Sequence, residues 1–175
     1  MDWLDMNVIL NGHRNGKVKL WDARTKGLEG TSSRVQHPSS ITHVRRITDH
    51  RIAVAGLENQ LCLYDMRFLP RKVPVIGGPT RPWLTVPSYQ NKDLSGLAVG
   101  FDVCGSLIAA GTDGNTVQLF DTDRGVEIAQ IDSRSTPGER PPCLAQCLRF
   151  VDGEGTREAP RLFVAAGKVI DEWSW

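Results

Sequence analysis

The chain has 175 residues, which is enough for one domain with its own hydrophobic core. Its 21 basic and 20 acidic residues leave a net charge of +1, which argues against nucleic-acid or membrane-surface binding. The four cysteines lack a disulfide spacing, no leader segment is visible, and no apolar run approaches the roughly 20 residues of a membrane span. We therefore expect a location in the nucleus or the cytoplasm, with neither nucleic acid nor membrane as a partner.

A two-part unit recurs four times along the chain, the last time cut short. Its first part is a run of small and apolar residues that closes on glycine, and its second part follows a polar turn and ends in an aromatic residue. The copies occupy residues 7–22, 51–65, 106–121 and 161–175. The glycine-to-aromatic separations are similar: Gly12 to Trp21, Gly56 to Tyr64, Gly111 to Phe120 and Gly167 to Trp175. Such recurrence indicates a repeat architecture.

Each part of the unit predicts one β-strand. The continuous small and apolar run is typical of a strand covered on both faces, at a place where neighbouring backbones crowd. The second part alternates, so that Val117 and Leu119 point one way and Gln118 the other, which predicts a half-covered strand. Turns such as Asn15-Gly16 tolerate positive φ and join the two strands into a hairpin.

Further strand-like runs lie between the hairpins. Residues 41–44, 97–101 and 143–150 precede a hairpin, residues 126–131 follow one, and residues 1–4 have the pattern of the end of a first strand. The order strand, hairpin, strand predicts the four-stranded blades of an all-β propeller. A sandwich or a barrel is the alternative, but neither needs the same aromatic–Asp ending at a blade-length period.

The strand endings resemble the Trp-Asp signature of the WD-repeat family. They read Leu20-Trp21-Asp22, Leu63-Tyr64-Asp65 and Leu119-Phe120-Asp121. His37 occupies the place of the family's Gly-His dipeptide, although Gln36 stands where the glycine would be and the other blades lack the histidine. The resemblance therefore implies blades held by hydrophobic stacking rather than by the family's histidine-centred hydrogen-bond relay.

Two consecutive blades carry a Trp-Asp-x-Arg box or its near copy. The first box is Trp21-Asp22-Ala23-Arg24 and the second box is Tyr64-Asp65-Met66-Arg67. Paired boxes, with an ending like that of residues 161–175, resemble the substrate receptors of cullin-4 ubiquitin ligases, in particular the factor-4 type, also called WD-repeat protein 21. The resemblance implies a non-catalytic scaffold that docks a client protein onto the ligase through its damaged-DNA-binding adaptor. The implied adaptor-binding residues are Trp21, Asp22, Arg24, Tyr64, Asp65 and Arg67.

Two other interpretations of the boxes stay open. An Asp and an Arg two residues apart can pair with neighbouring blades or face water, where such contacts contribute little. The chain would then be a generic WD-repeat scaffold in another multiprotein complex, without a ubiquitin-ligase link. A propeller enzyme would need converging acids or metal ligands at its channel mouth, and the sequence shows none.

A closed propeller of this family has about seven blades of roughly 40 to 45 residues. About four blades are visible here, so we expect residues 1–175 to form a single, partial propeller that corresponds to a C-terminal half. Its end blades would expose apolar faces and strand edges. The isolated chain is therefore expected to self-associate.

The longest connection, residues 68–93, is rich in proline and glycine and predicts a loop with one outer strand near Leu84. Trp83 and Tyr89 are candidates for exposed aromatic residues that recognise a client. Alternatively, the loop is a tolerated insertion and Trp83 packs on the blade edge.

No catalytic, cofactor-binding or metal site is predicted. The histidines at positions 13, 37, 43 and 50 fall in no nucleophile or metal motif, and no glycine-rich phosphate loop is present. Cys143 and Cys147 lie four residues apart, but no second pair completes a zinc site, so we expect both to be core residues. We therefore predict that the chain is not an enzyme and needs no cofactor.

Overall fold

The computed structural model consists of β-strands joined by turns and loops. It describes residues 1–25, 31–69, 78–90, 99–112, 116–132, 145–151, 160–166 and 169–174. The strands are β1 Asp2–Trp3, β2 Val8–Gly12, β3 Lys17–Asp22, β4 Thr31–Gln36, β5 Ile41–Arg46, β6 Arg51–Gly56, β7 Leu61–Asp65, β8 Leu84–Thr85, β9 Phe101–Cys104, β10 Leu107–Gly111, β11 Thr116–Asp121, β12 Glu127–Asp132, β13 Ala145–Val151, β14 Arg161–Ala166 and β15 Val169–Trp173. A 3-10 turn, Met66–Phe68, follows β7. In these residues no helix is long and apolar enough to cross a membrane.

The strands form four antiparallel sheets in which neighbours follow chain order. The first sheet holds β1 to β4, the second β5 to β8, the third β9 to β12 and the fourth β13 to β15. Each sheet contains one predicted hairpin as its second and third strands or, in the fourth sheet, as its last two. The predicted all-β propeller fold is confirmed, and four blade-like sheets fit a partial propeller. The outer strand predicted near Leu84 is β8, and the strand predicted at the start is β1.

The chain divides into two compact units, Met1–Pro87 and Ser88–Trp175. Their boundary lies within the predicted loop 68–93, and a single domain over the whole chain stays a prediction. In the first unit, the first and second sheets share a core: Leu10, Val18, Leu20, Val35, Val44, Ile52, Val54, Cys62, Tyr64 and Met66. In the second unit, the third and fourth sheets share another: Ala109, Val117, Leu119, Ala145, Leu148, Phe150, Leu162 and Val164.

The burial of the first hairpin strands differs between sheets. Strands β6 and β10 are buried along nearly their whole length, as predicted. In β2 one residue, Leu10, is buried, and β14 alternates buried with more exposed residues, so that prediction was wrong for the first and fourth sheets. The crowding predicted at the small residues of these strands is found at Gly56, where an added Cβ would overlap Ser39 and the His37 ring.

The second strands of the hairpins also differ in how much of each strand is buried. Only β3 has the predicted half-covered alternation, whereas β7 is buried throughout and β11 at its four central residues. Gln118, expected on the open face of β11, is buried. Its amide nitrogen donates to Ser88 O at 3.0 Å and Glu127 Oε2 at 2.9 Å, and its oxygen accepts from Gln90 N at 3.1 Å. These bonds supply the polar partners that a buried amide needs.

For two further residues the predicted exposure or burial was wrong. Tyr89 is buried against Phe120, with ring centroids 6.4 Å apart, because residues 88–90 turn inward onto β11. Cys147 is exposed, because it lies on the outward face of β13 opposite Ala165. Cys143 lies outside the described residues.

Candidate functional site

The first box ends β3 in a closed Asp–Arg pair. Arg24 donates from Nε to Asp22 Oδ1 at 2.9 Å and from Nη2 to Asp22 Oδ2 at 2.6 Å, and its backbone N donates to Oδ1 at 3.0 Å. The side chain of Arg24 is nevertheless 64% exposed. This two-bond arrangement matches the planar fork of guanidinium to the carboxylate.

The second box repeats that geometry after β7. Arg67 donates from Nε to Asp65 Oδ1 at 3.0 Å, from Nη2 to Oδ2 at 2.6 Å, and from its backbone N to Oδ1 at 3.0 Å. Asp65 thereby caps the 3-10 turn. Arg67 is 54% exposed, but Asp65 is only 5% exposed. The two boxes thus present similar arginines on differently buried acids.

Both pairs stay ionised over a wide pH range. Hydrogen bonds from the Arg24 side chain lower the pKa of Asp22 to about 2, and those from Arg67 lower the pKa of Asp65 to about 2. In return, each carboxylate raises the pKa of its arginine. Each box therefore holds a charged guanidinium in one orientation at the end of a strand.

The aromatic residues of the two boxes lie in different surroundings. Trp21 is 41% exposed, whereas Tyr64 is fully buried, with its hydroxyl 3.2 Å from Nδ1 of His37. Burial raises the pKa of Tyr64 and lowers that of His37 to about 4. A buried hydrogen bond therefore supplements the hydrophobic stacking that the sequence predicts.

The third strand ending builds a different turn. Asp121 accepts hydrogen bonds from the backbone N of Asp123 at 2.7 Å and of Arg124 at 2.9 Å. Its carboxylate thus closes a turn through backbone donors. Among the described strand endings, the bidentate Asp–Arg geometry occurs at the two predicted boxes.

Three side chains around the second box were not predicted from the sequence. Arg51 lies opposite Asp65 in the β6–β7 ladder, with its Nε 3.9 Å from Asp65 Oδ2, and its guanidinium lies 4.3 Å from the Trp83 ring centroid. Phe68 is 81% exposed, with the Arg67 guanidinium 5.4 Å from its ring centroid. Arg34 donates hydrogen bonds to backbone carbonyl oxygens of the turn that follows β7. The hairpin register would have revealed Arg51, and adjacency to the box would have revealed Phe68.

Trp83 combines features of its two predicted roles. It is 45% exposed, and it carries Arg51 on its ring at the edge of the second sheet. Its backbone N donates to Leu63 O at 2.8 Å, which fixes it beside β7.

The structure offers no metal centre among the residues it describes, where no three histidine, cysteine or acidic side chains are grouped to hold an ion. His37 is engaged by Tyr64, and burial lowers the pKa of His43 to about 4. The features that stand out chemically are therefore the exposed arginines of the two boxes.

No family model matches the chain. The chain is 28% identical over 127 residues to WD repeat-containing protein 21 of Schizosaccharomyces pombe, a match that covers 70% of this chain and 28% of that protein. The WD40 β-propeller domain of Doa1 superposes with a TM-score of 0.66 at 11% identity, over 99% of this chain and 49% of that one. A chain of the mitotic checkpoint complex superposes with a TM-score of 0.64 at 16% identity, over 99% of this chain and 48% of that one.

The structural likenesses show the fold, and the curated match supports placing the chain in the WD-repeat family. The chain spans 28% of the curated relative's length and about half of these two solved chains.

Proposed function

We propose that this chain of the WD-repeat type is a non-catalytic substrate receptor that docks onto the adaptor of a cullin-4 ubiquitin ligase through Arg24 and Arg67. One observation carries the proposal. The two arginines stand at the ends of corresponding strands in adjacent sheets, each held by its own aspartate and each more than half exposed.

The aspartates orient the arginines for binding. Each carboxylate accepts hydrogen bonds from Nε and Nη2 of its arginine. The Nη1 donors make no hydrogen bond to a described residue and can therefore bind a partner. Planar donors held in place hydrogen-bond carbonyl or carboxylate oxygens without first losing side-chain freedom. Trp21 adds exposed aromatic surface beside Arg24.

The curated match also supports this proposal, because its name is that of the receptor subgroup which the boxes resemble. The client would bind on another surface of the molecule, in the nucleus or the cytoplasm. Fold alone carries no such assignment, since propellers host many functions.

A pull-down of the purified adaptor by the full 175-residue chain tests the proposal. We expect the double variant Arg24→Glu, Arg67→Glu to weaken binding by at least about tenfold. It removes the guanidinium donors and places negative charge opposite the partner's oxygen atoms. Arg124→Glu, at the third strand ending, is the matched control and should bind as the unaltered chain does. Arg24→Lys with Arg67→Lys should bind at an intermediate level, because lysine keeps the charge without the fork. Unchanged binding by the double glutamate variant would refute the docking role.

One observation favours a second candidate, a generic scaffold in another complex. Both guanidinium groups already have a partner in their own aspartate, so they can serve the strand endings alone. In that case the adaptor would not bind the unaltered chain.

A further inference from the structure

The two sheets of each unit pack in the same way, which is described here with two names. The front face of a sheet carries the aromatic side chain near the end of its second hairpin strand, which is Trp21, Tyr64, Phe120 or Trp173. The back face is the opposite face. In the first unit, back-face residues of the first sheet share a core with front-face residues of the second: Leu10, Val18 and Leu20 with Ile52, Val54, Cys62 and Tyr64.

The second unit repeats this arrangement. The ladder pairs Leu162 with Trp173 as it pairs Ile52 with Tyr64, so Leu162 and Val164 belong to the front face of the fourth sheet. The back face of the third sheet contributes the other half of that core, with Ala109, Val117 and Leu119. These sheets therefore bury their apolar surface by packing back to front.

One front face and one back face stay open among the described residues. On the front face of the first sheet, Trp3 is 54% exposed and forms a row with Ile9 and Trp21 across β1, β2 and β3. On the back face of the fourth sheet, Ile170 is 71% exposed, and Phe163 is partly exposed beside it. The chain thus presents one open face of each type.

The two open faces carry opposite charges at corresponding places. Lys19, on the open front face, occupies the position of Cys62 in the second sheet, and Glu172, on the open back face, occupies the position of Leu20 in the first. Cys62 and Leu20 belong to one core. Lys19 makes no ion pair with a described residue. Glu172 pairs with Arg161 at 3.0 Å but is still 48% exposed. A back-to-front contact between these faces would therefore bring opposite charges together.

We propose that a second copy of this chain covers these surfaces, with the open front face of one copy packed on the open back face of the other. The two tryptophans of one copy lie against Phe163 and Ile170 of the other, and Lys19 lies near Glu172. Removal of these apolar side chains from water drives the association. Because the contact joins unlike faces, each pair of copies keeps one open face of each type, so the assembly closes into a ring or grows.

This inference goes beyond the proposed function and depends on different residues. Arg24 and Arg67 follow the strand ends and lie outside the two open faces. Trp21 belongs both to the first box and to the open front face, so the tests leave it unaltered.

Mixing two variants tests the pairing of unlike faces. Trp3→Asp alters the open front face and Ile170→Asp alters the open back face, each at an exposed position. Each variant alone keeps one of the two faces, so we expect sedimentation velocity at micromolar concentration to show a monomer. An equimolar mixture should form a one-to-one complex, because the back face of the first variant meets the front face of the second. That complex also shows that both variants are folded.

The matched controls are Met6→Asp and Val126→Asp, which introduce the same charge at exposed apolar positions outside the two faces. Both controls should associate as the unaltered chain does.

Charge exchange supplies a second measurement. Lys19→Glu alone or Glu172→Lys alone should weaken association by about tenfold, because like charges then meet across the contact. A mixture of the two variants should recover association, because contacts between unlike variants again join opposite charges.

Association of either aspartate variant alone at the level of the unaltered chain would show that like faces pair, and it would overturn the inference. A mixture of the aspartate variants that stays monomeric, a mixture of the charge variants that does not recover, or a monomeric unaltered chain would overturn it as well. None of these results bears on adaptor binding, which the Arg24 and Arg67 variants test separately.

Discussion

The first and second boxes have the same local geometry in different surroundings. In both, the arginine two residues after a strand-end aspartate folds back and binds it with two side-chain hydrogen bonds. Trp21 is nevertheless exposed and Asp22 partly exposed, whereas Asp65 and Tyr64 are buried. A short motif therefore sets its own internal bonds, while packing against the neighbouring sheet determines which of its residues belong to the core.

The difference has its origin in the sheets that carry the boxes. Trp3, Ile9 and Trp21 are paired directly across β1, β2 and β3, so they share one face of the first sheet. The opposite face carries Leu10 and Leu20, which pack in the core shared with the second sheet. Tyr64 lies in the same shared core, contributed from the second sheet.

The largest expected difference concerns the aromatic residues of the boxes. We expect Tyr64→Ala to lower the free energy of unfolding by about 3–5 kcal/mol, because it empties a large buried site and removes the partner of His37. Trp21→Ala should change it by less than about 1 kcal/mol, because the indole is already partly solvated. Urea unfolding of the two variants measures both values, and equal losses would contradict the assignment of Trp21 to the surface.

A smaller effect should distinguish the second box by its response to pH. The folded chain lowers the pKa of His37 to about 4, so between that value and the usual 6.5 the unfolded chain binds the proton more tightly. Stability is therefore complete above about pH 6.5 and falls as the pH decreases toward 4, with a loss on the order of 1–2 kcal/mol from His37 between pH 7 and 5.

The variant for this prediction is His37→Gln. Denaturant unfolding at pH 7 and pH 5 should show a smaller difference in the free energy of unfolding for His37→Gln than for the unaltered chain. His43, whose pKa burial also lowers to about 4, should account for part of the remaining slope. A pH dependence left intact by His37→Gln would show that the histidine bonded to Tyr64 is not the titrating group.

The smallest effect follows from the open face that carries Trp21. We expect the isolated chain to self-associate weakly at micromolar concentration, because Trp3, Ile9 and Trp21 form an apolar row and the two tryptophans are exposed. Trp3→Lys should reduce the association measured by light scattering. Met6→Lys replaces an even more exposed apolar side chain outside that row, and this variant should associate as the unaltered chain does. If the unaltered chain is a monodisperse monomer, this prediction is contradicted.

Much of the strand layout could be predicted because the repeat is visible in the sequence. The runs of small and apolar residues became β2, β6, β10 and β14, and the alternating runs became β3, β7 and β11. The predictions that failed concern burial: Gln118 is inside, Tyr89 is inside, and Cys147 is outside. Alternation along a strand shows which residues share a face, but it does not show which face another sheet covers.

The repeat, the order of strands and the positions of the two Asp–Arg boxes could be inferred from the sequence, because they depend on spacing and on bonds between residues close in the chain. Packing between the sheets, in contrast, buried Asp65 and Tyr64 of the second box and placed Trp83 against Arg51. Those contacts join separate strands and a loop edge. They depend on ladder register and on packing between sheets, which residues distant in sequence establish together.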